Sequence, residues 1–341
     1  MDNPTPQIQP VDDGSAPAVS VVMPAYRVAR YIGAALDSVL AQTFGDYEII
    51  VVNDGSPDTV ELEQALEPYR SRIVYIKQEN QGPSGARNTA IRRSRGTYVA
   101  LLDSDDVWLP DYLAEQMKIL RDDPLADLIY ADAELFGDSA LAGQTFMQSA
   151  PSRGGVTFES LAGWECCVIT SCVVARRQSL IDAGLFDENF IRSEDFDLWL
   201  RLAHRGGRLI YQRRVLALHR MHEASLAADS SRMFESQIEV FRKTATTLPL
   251  SLHEQKLIER QIASCKAHMA LTEGKRRFAC GDYEQALEYV SRANDFFRRR
   301  KLQLALLGMR IAPRLLHRLY LMRYRAATQK IAAEPDAQIS V

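Results

Sequence analysis

The sequence predicts an α/β domain built on a mostly parallel sheet, followed by an α-helical extension. Three observations carry that expectation. Short apolar runs alternate with segments of helical period from residue 19 to residue 102. Turn signals rich in Asn, Asp, Gly and Pro lie between them. From about residue 230 the pattern turns helical and stays so to about residue 330.

Taken in order, residues 19–23 form an apolar run suited to a buried strand, and Ile32, Leu36, Val39 and Leu40 recur behind it at helical spacing. Residues 48–52 make a second strand, closed by Asn53-Asp54-Gly55-Ser56-Pro57, a turn signal that also opens a helix. Residues 73–76 are a third strand. Residues 83–93 carry a proline near a helix start. Residues 98–102 are a fourth strand, apolar after its first residue and so expected to be buried on both faces. The next part is less regular: 167–175 reads as a strand, 196–203 as a helix, and 208–218 as a strand pair or ribbon. The expected organisation is a disordered segment over 1–17, an α/β domain over 18–228, a helical extension over 229–330 and a disordered tail over 331–341. The boundary falls in Ala-Ala-Asp-Ser-Ser.

Bulk composition excludes several classes. The 341 residues carry a net charge of -3, which argues against a general nucleic-acid binder with its dominant basic footprint. Five cysteines, odd in number and without CxxC spacing, describe neither a disulfide framework nor a zinc site. The N-terminal stretch has no apolar h-region, and no apolar run is long enough to span a bilayer. The cytoplasm is the expected compartment.

In parallel sheets ligands sit beyond the carboxyl ends of the strands, which directs attention to the segments after Met23, Val52 and Leu102. The strongest signal is Asp103-Ser104-Asp105-Asp106. Clustered carboxylates repel one another unless solvent or a cation screens them, and Mg²⁺ or Mn²⁺ would do so through hard oxygen ligands. Asp103 and Asp105 are spaced to hold ribose and metal from one turn; the bland alternative is an acidic, solvated loop. Asp54 closes the second strand, where a carboxylate can accept from the imide N–H of a pyrimidine, although Asp-Gly is also an everyday turn. Pro24-Ala25-Tyr26 puts an aromatic ring where a base could stack or merely pack. Asn80-Gln81-Gly82-Pro83-Ser84-Gly85-Ala86-Arg87-Asn88 sets glycines before a helix with Arg87 one turn in, which suits an anion or simply caps a helix. Arg192-Ser193-Glu194-Asp195 opens a helix with an apolar stripe; Ser193 is a credible N-cap and the acids suit the helix dipole. The same stripe would hold a carboxylate rigidly over the cleft. His219 and His222 complete the set.

These pieces in this order resemble family 2 of the inverting glycosyltransferases, with the GT-A fold, over approximately residues 18–226. The carrying residues are VSVVMPAY, VVNDGS, NQGPSGARN, ALLDSDD, FDENFIRSEDFDLWLRL and HRMHEASL. Each is weak alone, and six in order are highly specific. The resemblance implies a Rossmann-like, mixed or mostly parallel sheet flanked by helices. It implies that Tyr26 stacks on the base beside Pro24 and that Asp54 reads the base. Arg87 would lie near the nucleotide. Asp103 and Asp105 match the DxD motif, with Ser104 between them on the donor side and Asp105 nearest the metal. Asp195 matches the catalytic base, with Glu194 beside it near the acceptor, and His222 is placed at the diphosphate or metal.

The implied reaction moves a sugar from a nucleoside-diphosphate sugar, UDP by preference, to an acceptor hydroxyl in one inverting displacement assisted by Mn²⁺ or Mg²⁺. The acceptor would be a saccharide or a lipid-linked sugar of envelope polysaccharide or glycolipid synthesis. Two rival readings compete with this one. A sugar-nucleotide nucleotidyltransferase should carry a Gly-rich basic loop after the first strand, where this chain has Pro-Ala-Tyr-Arg-Val. A catalytically silent binding module is disfavoured by the joint presence of Asp103, Asp105 and Asp195.

Residues 264–293 resemble a single tetratricopeptide-type hairpin, and one repeat cannot build a solenoid. Beyond Asp295 no acidic residue occurs until Glu334, while Arg298, Arg299, Arg300, Lys301, Arg310, Arg314, Arg318, Arg323, Arg325 and Lys330 fall in that window. Leu302, Leu306, Met309, Leu315, Leu319 and Met322 recur beside them. Such a helix, divided at Pro313, either docks on the chain or makes peripheral contact with an anionic membrane, here the inner face of the plasma membrane.

Overall fold

The computed structural model describes residues 16–139, 141–222 and 230–332. They fall into two compact units, one within Met1–Ala228 and Lys243–Leu250, the other within Asp229–Arg242 and Ser251–Val341. The expected N-terminal segment to residue 15, the boundary at 228, the 223–226 part of HRMHEASL and the tail from 333 lie outside the described residues.

In the first unit β1 (Val19–Ala25), α1 (Ile32–Leu40), β2 (Tyr47–Asp54), α2 (Thr59–Leu66), β3 (Val74–Gln78), α3 (Gly82–Arg93) and β4 (Tyr98–Leu101) alternate. The chain continues through β5 (Val107–Trp108), α4 (Tyr112–Asp122), β6 (Leu128–Gly137), α5 (Phe146–Ser149), α6 (Phe158–Ala162), β7 (Val173–Arg176), α7 (Arg177–Asp182), α8 (Glu194–His204) and β8 (Leu209–Met221). Together the strands form one sheet of order β3-β2-β1-β4-β7-β6-β8-β5. Neighbours from β3 to β4 are parallel, whereas β7 runs antiparallel to both β4 and β6. β8 lies parallel to β6, and the short β5 antiparallel to β8. The sheet is therefore mixed and largely parallel.

Both faces of β1 are buried: Val19, Val21 and Met23 join Ile32, Leu36 and Val39 of α1 in the core, and Ser20 and Val22 on the other face are equally inaccessible. Burying residues of this kind contributes roughly 1.5–3 kcal/mol for each large side chain, which fixes the register of the central strands. That register sets Met23 beside Val51 and Val22 beside Leu101. The ends of β2, β1 and β4 consequently open side by side on one edge.

Two expectations for the second half need correction, and two strands are added. Residues 167–175 are not one strand: Thr170–Cys172 form a single 3₁₀ turn and only Val173–Arg176 are extended. Residues 208–218 are not a strand pair but part of one strand. Its register against β6 slips between Gln212 and Val215, so exposed Arg213 and Arg214 form a bulge where the sequence reads as a turn. β5 and β6 were not anticipated. Two residues are too short to show a period, and β6 carries Asp132 and Glu134 inside its apolar pattern.

The helices that follow are α9 (Ser230–Thr247), α10 (Leu252–Ala279), α11 (Tyr283–Phe297), α12 (Arg300–Ile311) and α13 (Pro313–Ala332). In the second unit α10 and α11 form an antiparallel hairpin. Their close approach depends on Gly274, where a Cβ would lie 2.7 Å from Val290 Cγ2. Asp282 caps α11 by accepting from Gln285 N. Phe278, Ala286, Val290, Leu306 and Met309 make the core of this unit. Pro313 does divide the last helix: Ala312 breaks the chain and Pro313 opens α13, which runs to Ala332, two residues past the expected end.

Candidate active site

The carboxyl edge gathers side chains from several distant stretches of sequence. Asp54 ends β2 almost fully buried, and its Oδ1 accepts from Gln78 Nε2 at 2.7 Å and from Gln81 N at 2.9 Å. Gly55 follows with φ +63°, and a Cβ there would stand 2.7 Å from Asn80 N. The turn after β2 thus packs directly on the entry to α3. Ser56 Oγ accepts from Arg27 N at 2.7 Å, and Asp58 accepts from Ala29 N at 3.1 Å, tying the loops after β1 and β2 together. Pro24 lies at the end of β1, and Tyr26 just beyond it is 42% exposed, its ring face turned to the Arg27 guanidinium at 5.4 Å.

The turn after β4 alternates between outward and inward side chains. Asp103 and Asp105 are half-buried, whereas Ser104 and Asp106 are 1% exposed. Ser104 Oγ donates to Pro24 O at 2.8 Å, so it ties this turn to β1. Asp106 accepts from Arg220 N at 2.7 Å and pairs with His219 Nδ1 at 2.9 Å. Arg220 Nε in turn donates to the carbonyl of Asp105 at 2.8 Å. β8 therefore clamps the acidic turn from beneath. Asp105 Oδ2 meets His222 Nε2 at 2.9 Å, and the His222 ring stacks on Tyr31 with centroids 5.4 Å apart. His222 Nδ1 is buried and has no hydrogen-bond partner among the described residues.

Arg87 joins this turn to α8. Its guanidinium is buried and donates to Asp103 Oδ1 at 2.6 Å and to Glu194 Oε1 at 2.7 Å. The planar fork reaches the two carboxylates through separate nitrogens held at a fixed spacing. Beside this link Asp195 is half-buried, and its Oδ2 accepts from Thr170 Oγ1 at 2.7 Å. The next residue, Ser171, accepts from Asp103 N at 3.1 Å through its Oγ, while its carbonyl accepts from Trp108 Nε1 at 2.7 Å. Adjacent residues of one 3₁₀ turn thus hold Asp103 on one side and Asp195 on the other.

Two local readings change. Ser193 precedes α8 but does not cap it: its φ of +57° is left-handed, its Oγ makes no cap bond, and that buried oxygen has no partner among the described residues. In α3, Ser84 Oγ and Asn88 Nδ2 donate to the carbonyls of Phe190 and Phe186 at 3.1 and 2.8 Å. Those two residues lock α3 to the approach of α8, so Arg87 is the residue of that motif that faces the acids.

The electrostatics follow from burial. Burial pushes Glu194 up to about 7 against the pull of Arg87, with Asp195 adding to the rise. Asp105 is raised for the same first reason, then by Asp106 and Asp103, with His222 opposing. Burial disfavours the charge on Arg87, but Asp103 and Glu194 outweigh it and hold its pKa above the ordinary value. His219 is likewise held up at about 9, burial opposing and Asp106 prevailing. The edge is an excess of crowded carboxylates met by one buried guanidinium. Among the described residues no three His, Cys, Asp or Glu side chains form a ready cage for a metal. Of the three residues read as metal ligands, Asp105 and His222 are in contact, and Asp103 is turned to Arg87.

Sequence reasoning passed over Thr170, Ser171, Tyr31 and Arg220, and gave no role to Asp106. Hydroxyls and a tyrosine carry no motif of their own. Asp106 was visible in the acidic run, and its burial was not.

Two solved structures share this course of chain. Staphylococcus aureus TarS 1–349 in complex with UDP-GlcNAc matches with a TM-score of 0.59 at 17% identity, over 91% of this chain and 92% of that one. The mannosyltransferase PcManGT from Pyrobaculum calidifontis in complex with GDP-Man and Mn²⁺ matches with a TM-score of 0.58 at 19% identity, over 94% and 89%. The fold is GT-A. Residues 20–182 match the model of Glycosyl transferase family 2. The Escherichia coli UDP-Glc:alpha-D-GlcNAc-diphosphoundecaprenol beta-1,3-glucosyltransferase WfgD is 31% identical over 185 residues, 54% of this chain and 69% of that protein. A Rickettsia prowazekii glycosyltransferase is 33% identical over 211 residues, 61% of this chain and 65% of that protein. A Rickettsia felis relative is matched over only 31% of its length. The chain belongs to Glycosyl transferase family 2.

Proposed function

We propose that the chain transfers a sugar, with inversion, from a UDP-sugar to a hydroxyl of a saccharide or lipid-linked acceptor, as in envelope polysaccharide or glycolipid synthesis. The observation that carries this reading is the buried Arg87, which holds Asp103 of the β4 turn and Glu194 of α8 from 16 and 107 residues away. It brings the donor-side acids and the acid pair of α8 to one place.

On this reading the uracil stacks on the exposed Tyr26 beside Pro24, and its imide N–H donates to Asp54, whose carboxylate Gln78 and Gln81 already orient. Asp103 takes the ribose, with Ser104 fixing the turn and Arg87 adding positive charge near the diphosphate. An acceptor hydroxyl is hardly nucleophilic at neutral pH. Asp195, held by Thr170, removes its proton as it attacks the anomeric carbon, which contributes roughly 10²–10⁴-fold. The bond to the diphosphate breaks as the new glycosidic bond forms, and the configuration inverts. Glu194 lines the acceptor side and keeps Arg87 in place. The names of WfgD and of the TarS complex, both with UDP-linked sugars, support the choice of nucleotide.

A divalent cation fits this edge. Asp105 Oδ2 and His222 Nε2 would hold it, and the buried Nδ1 of His222, without a hydrogen-bond partner among the described residues, is a polar atom the protein side chains leave unmet. A carboxylate beside an imidazole suits Mn²⁺ better than Mg²⁺, which keeps to oxygen; PcManGT was solved with Mn²⁺. Bound there, the ion would neutralise charge on the departing diphosphate. The test is thermal shift with a panel of nucleotide sugars, with and without Mn²⁺. UDP-sugars should stabilise the chain with Mn²⁺, and Asp105→Ala should remove the metal-dependent part of that shift. Equal shifts in wild type and Asp105→Ala would move the metal elsewhere.

A further inference from the structure

Outside the cleft, the clearest feature without an assigned role is the outward face of the last two helices. α12 and α13 turn Leu302, Leu306, Met309, Leu316 and Tyr320 toward the hairpin core of their own unit. A helix that buries one stripe normally carries polar residues on the other. These two do not. Leu304, Leu307 and Ile311 on α12, and Leu315, Leu319 and Met322 on α13, are each between 51% and 74% exposed. Their spacing of three or four residues puts the members of each trio on one side of their helix.

The charge beside these stripes has a single sign. Arg298, Arg299, Arg300, Lys301, Arg310, Arg314 and Arg318 are all exposed, and no acidic residue occurs between Asp295 and Glu334. At 100° per residue Lys301 and Arg310 fall on opposite flanks of the α12 stripe, and Arg314 and Arg318 on one flank of the α13 stripe. The rest of the chain offsets them, since the net charge is -3.

We propose that the outward faces of α12 and α13 are a docking surface for an anionic phospholipid membrane, with the apolar stripes in the acyl boundary and the flanking cations at the headgroups. Charge complementarity selects this occupant. A nucleic acid would use the cations and leave six large apolar side chains in water, whereas a lipid surface uses both. No helix among the described residues is long and apolar enough to cross a membrane, so the contact lies on the surface. This inference rests on residues remote in sequence from the proposed reaction and stands or falls apart from it.

Flotation of the full chain with vesicles containing about one-third phosphatidylglycerol, or phosphatidylcholine alone, tests it at about 0.05 M and about 0.5 M salt. The chain should float with anionic vesicles at low salt, at least about tenfold less with neutral ones, and less at high salt. Ile311→Ser with Leu315→Ser, and separately Arg310→Glu with Arg314→Glu, should each reduce flotation about tenfold without changing turnover of soluble donor and acceptor. If the serine pair lowers the unfolding midpoint, the arginine reversal decides alone. Absence of flotation, or flotation indifferent to lipid charge and to both variants, overturns the proposal. So does light scattering that shows a dimer dispersed by the serine pair, since the face would then belong to a second copy.

Discussion

The carboxyl edge of the sheet and the outward face of α12 and α13 both concentrate charge, but they handle it in opposite ways. At the edge, Arg87 has a side-chain exposure of 6% and meets two carboxylates within 2.7 Å. On α12, on α13 and just ahead of α12, seven cations stand in water beside apolar side chains that are also exposed. Buried charges interact strongly and each needs its partner, so single substitutions there should be severe. Exposed charges are screened and weak one by one, and they act as a group. On the functions proposed for them, the difference separates a site that positions reacting atoms from a surface that attracts another surface.

Substitutions at three positions probe that contrast, in order of falling effect. Arg87→Ala strands Glu194 and Asp103 without their counter-charge and should cost about 3–5 kcal/mol of unfolding free energy in urea titration. Arg87→Lys should recover only part of it, because a single ammonium nitrogen does not reproduce the spacing of the two guanidinium nitrogens that meet Asp103 and Glu194. His219 comes next. Its pKa of about 9 stands above the ordinary 6.5, so the stability it contributes is complete below pH 6.5 and is lost as pH rises through 9. That loss should approach about 3 kcal/mol, and His219→Gln should flatten this part of the pH profile. Arg314→Ala should leave the unfolding midpoint unchanged, since its side chain is exposed and its work is collective.

Much of the catalytic half was legible before any coordinates. The apolar runs of β1, β2 and β4 are buried on both faces or nearly so, and continuous burial leaves a continuous signal, whereas β3, largely half-buried, is legible from its short apolar run alone. β6 was not legible, because Asp132 sits inside it, its carboxylate accepting from Ala133 N and Met147 N. A charge satisfied by local backbone looks, in sequence, like a charge in a loop. The alternation of Asp103 and Asp105 with Ser104 and Asp106 was visible as spacing only; which pair faces the cleft depends on β1 and β8. The Arg87–Glu194 link spans 107 residues, and no periodicity reports on it. Resemblance to a family put names on Tyr26, Asp54 and Asp195. The supporting pair Thr170 and Ser171 had no such help, and their role comes from the 3₁₀ turn that points one hydroxyl to the Asp195 carboxylate and the other to the backbone N–H of Asp103.

Asp195 is the proposed base of a transfer whose donor is held by other residues, and one substitution isolates it. Asp195→Asn should lower the rate of sugar transfer roughly 10²–10⁴-fold. The same protein should keep its Mn²⁺-dependent thermal stabilisation by the UDP-sugar. Turnover close to wild type in Asp195→Asn would contradict the assignment.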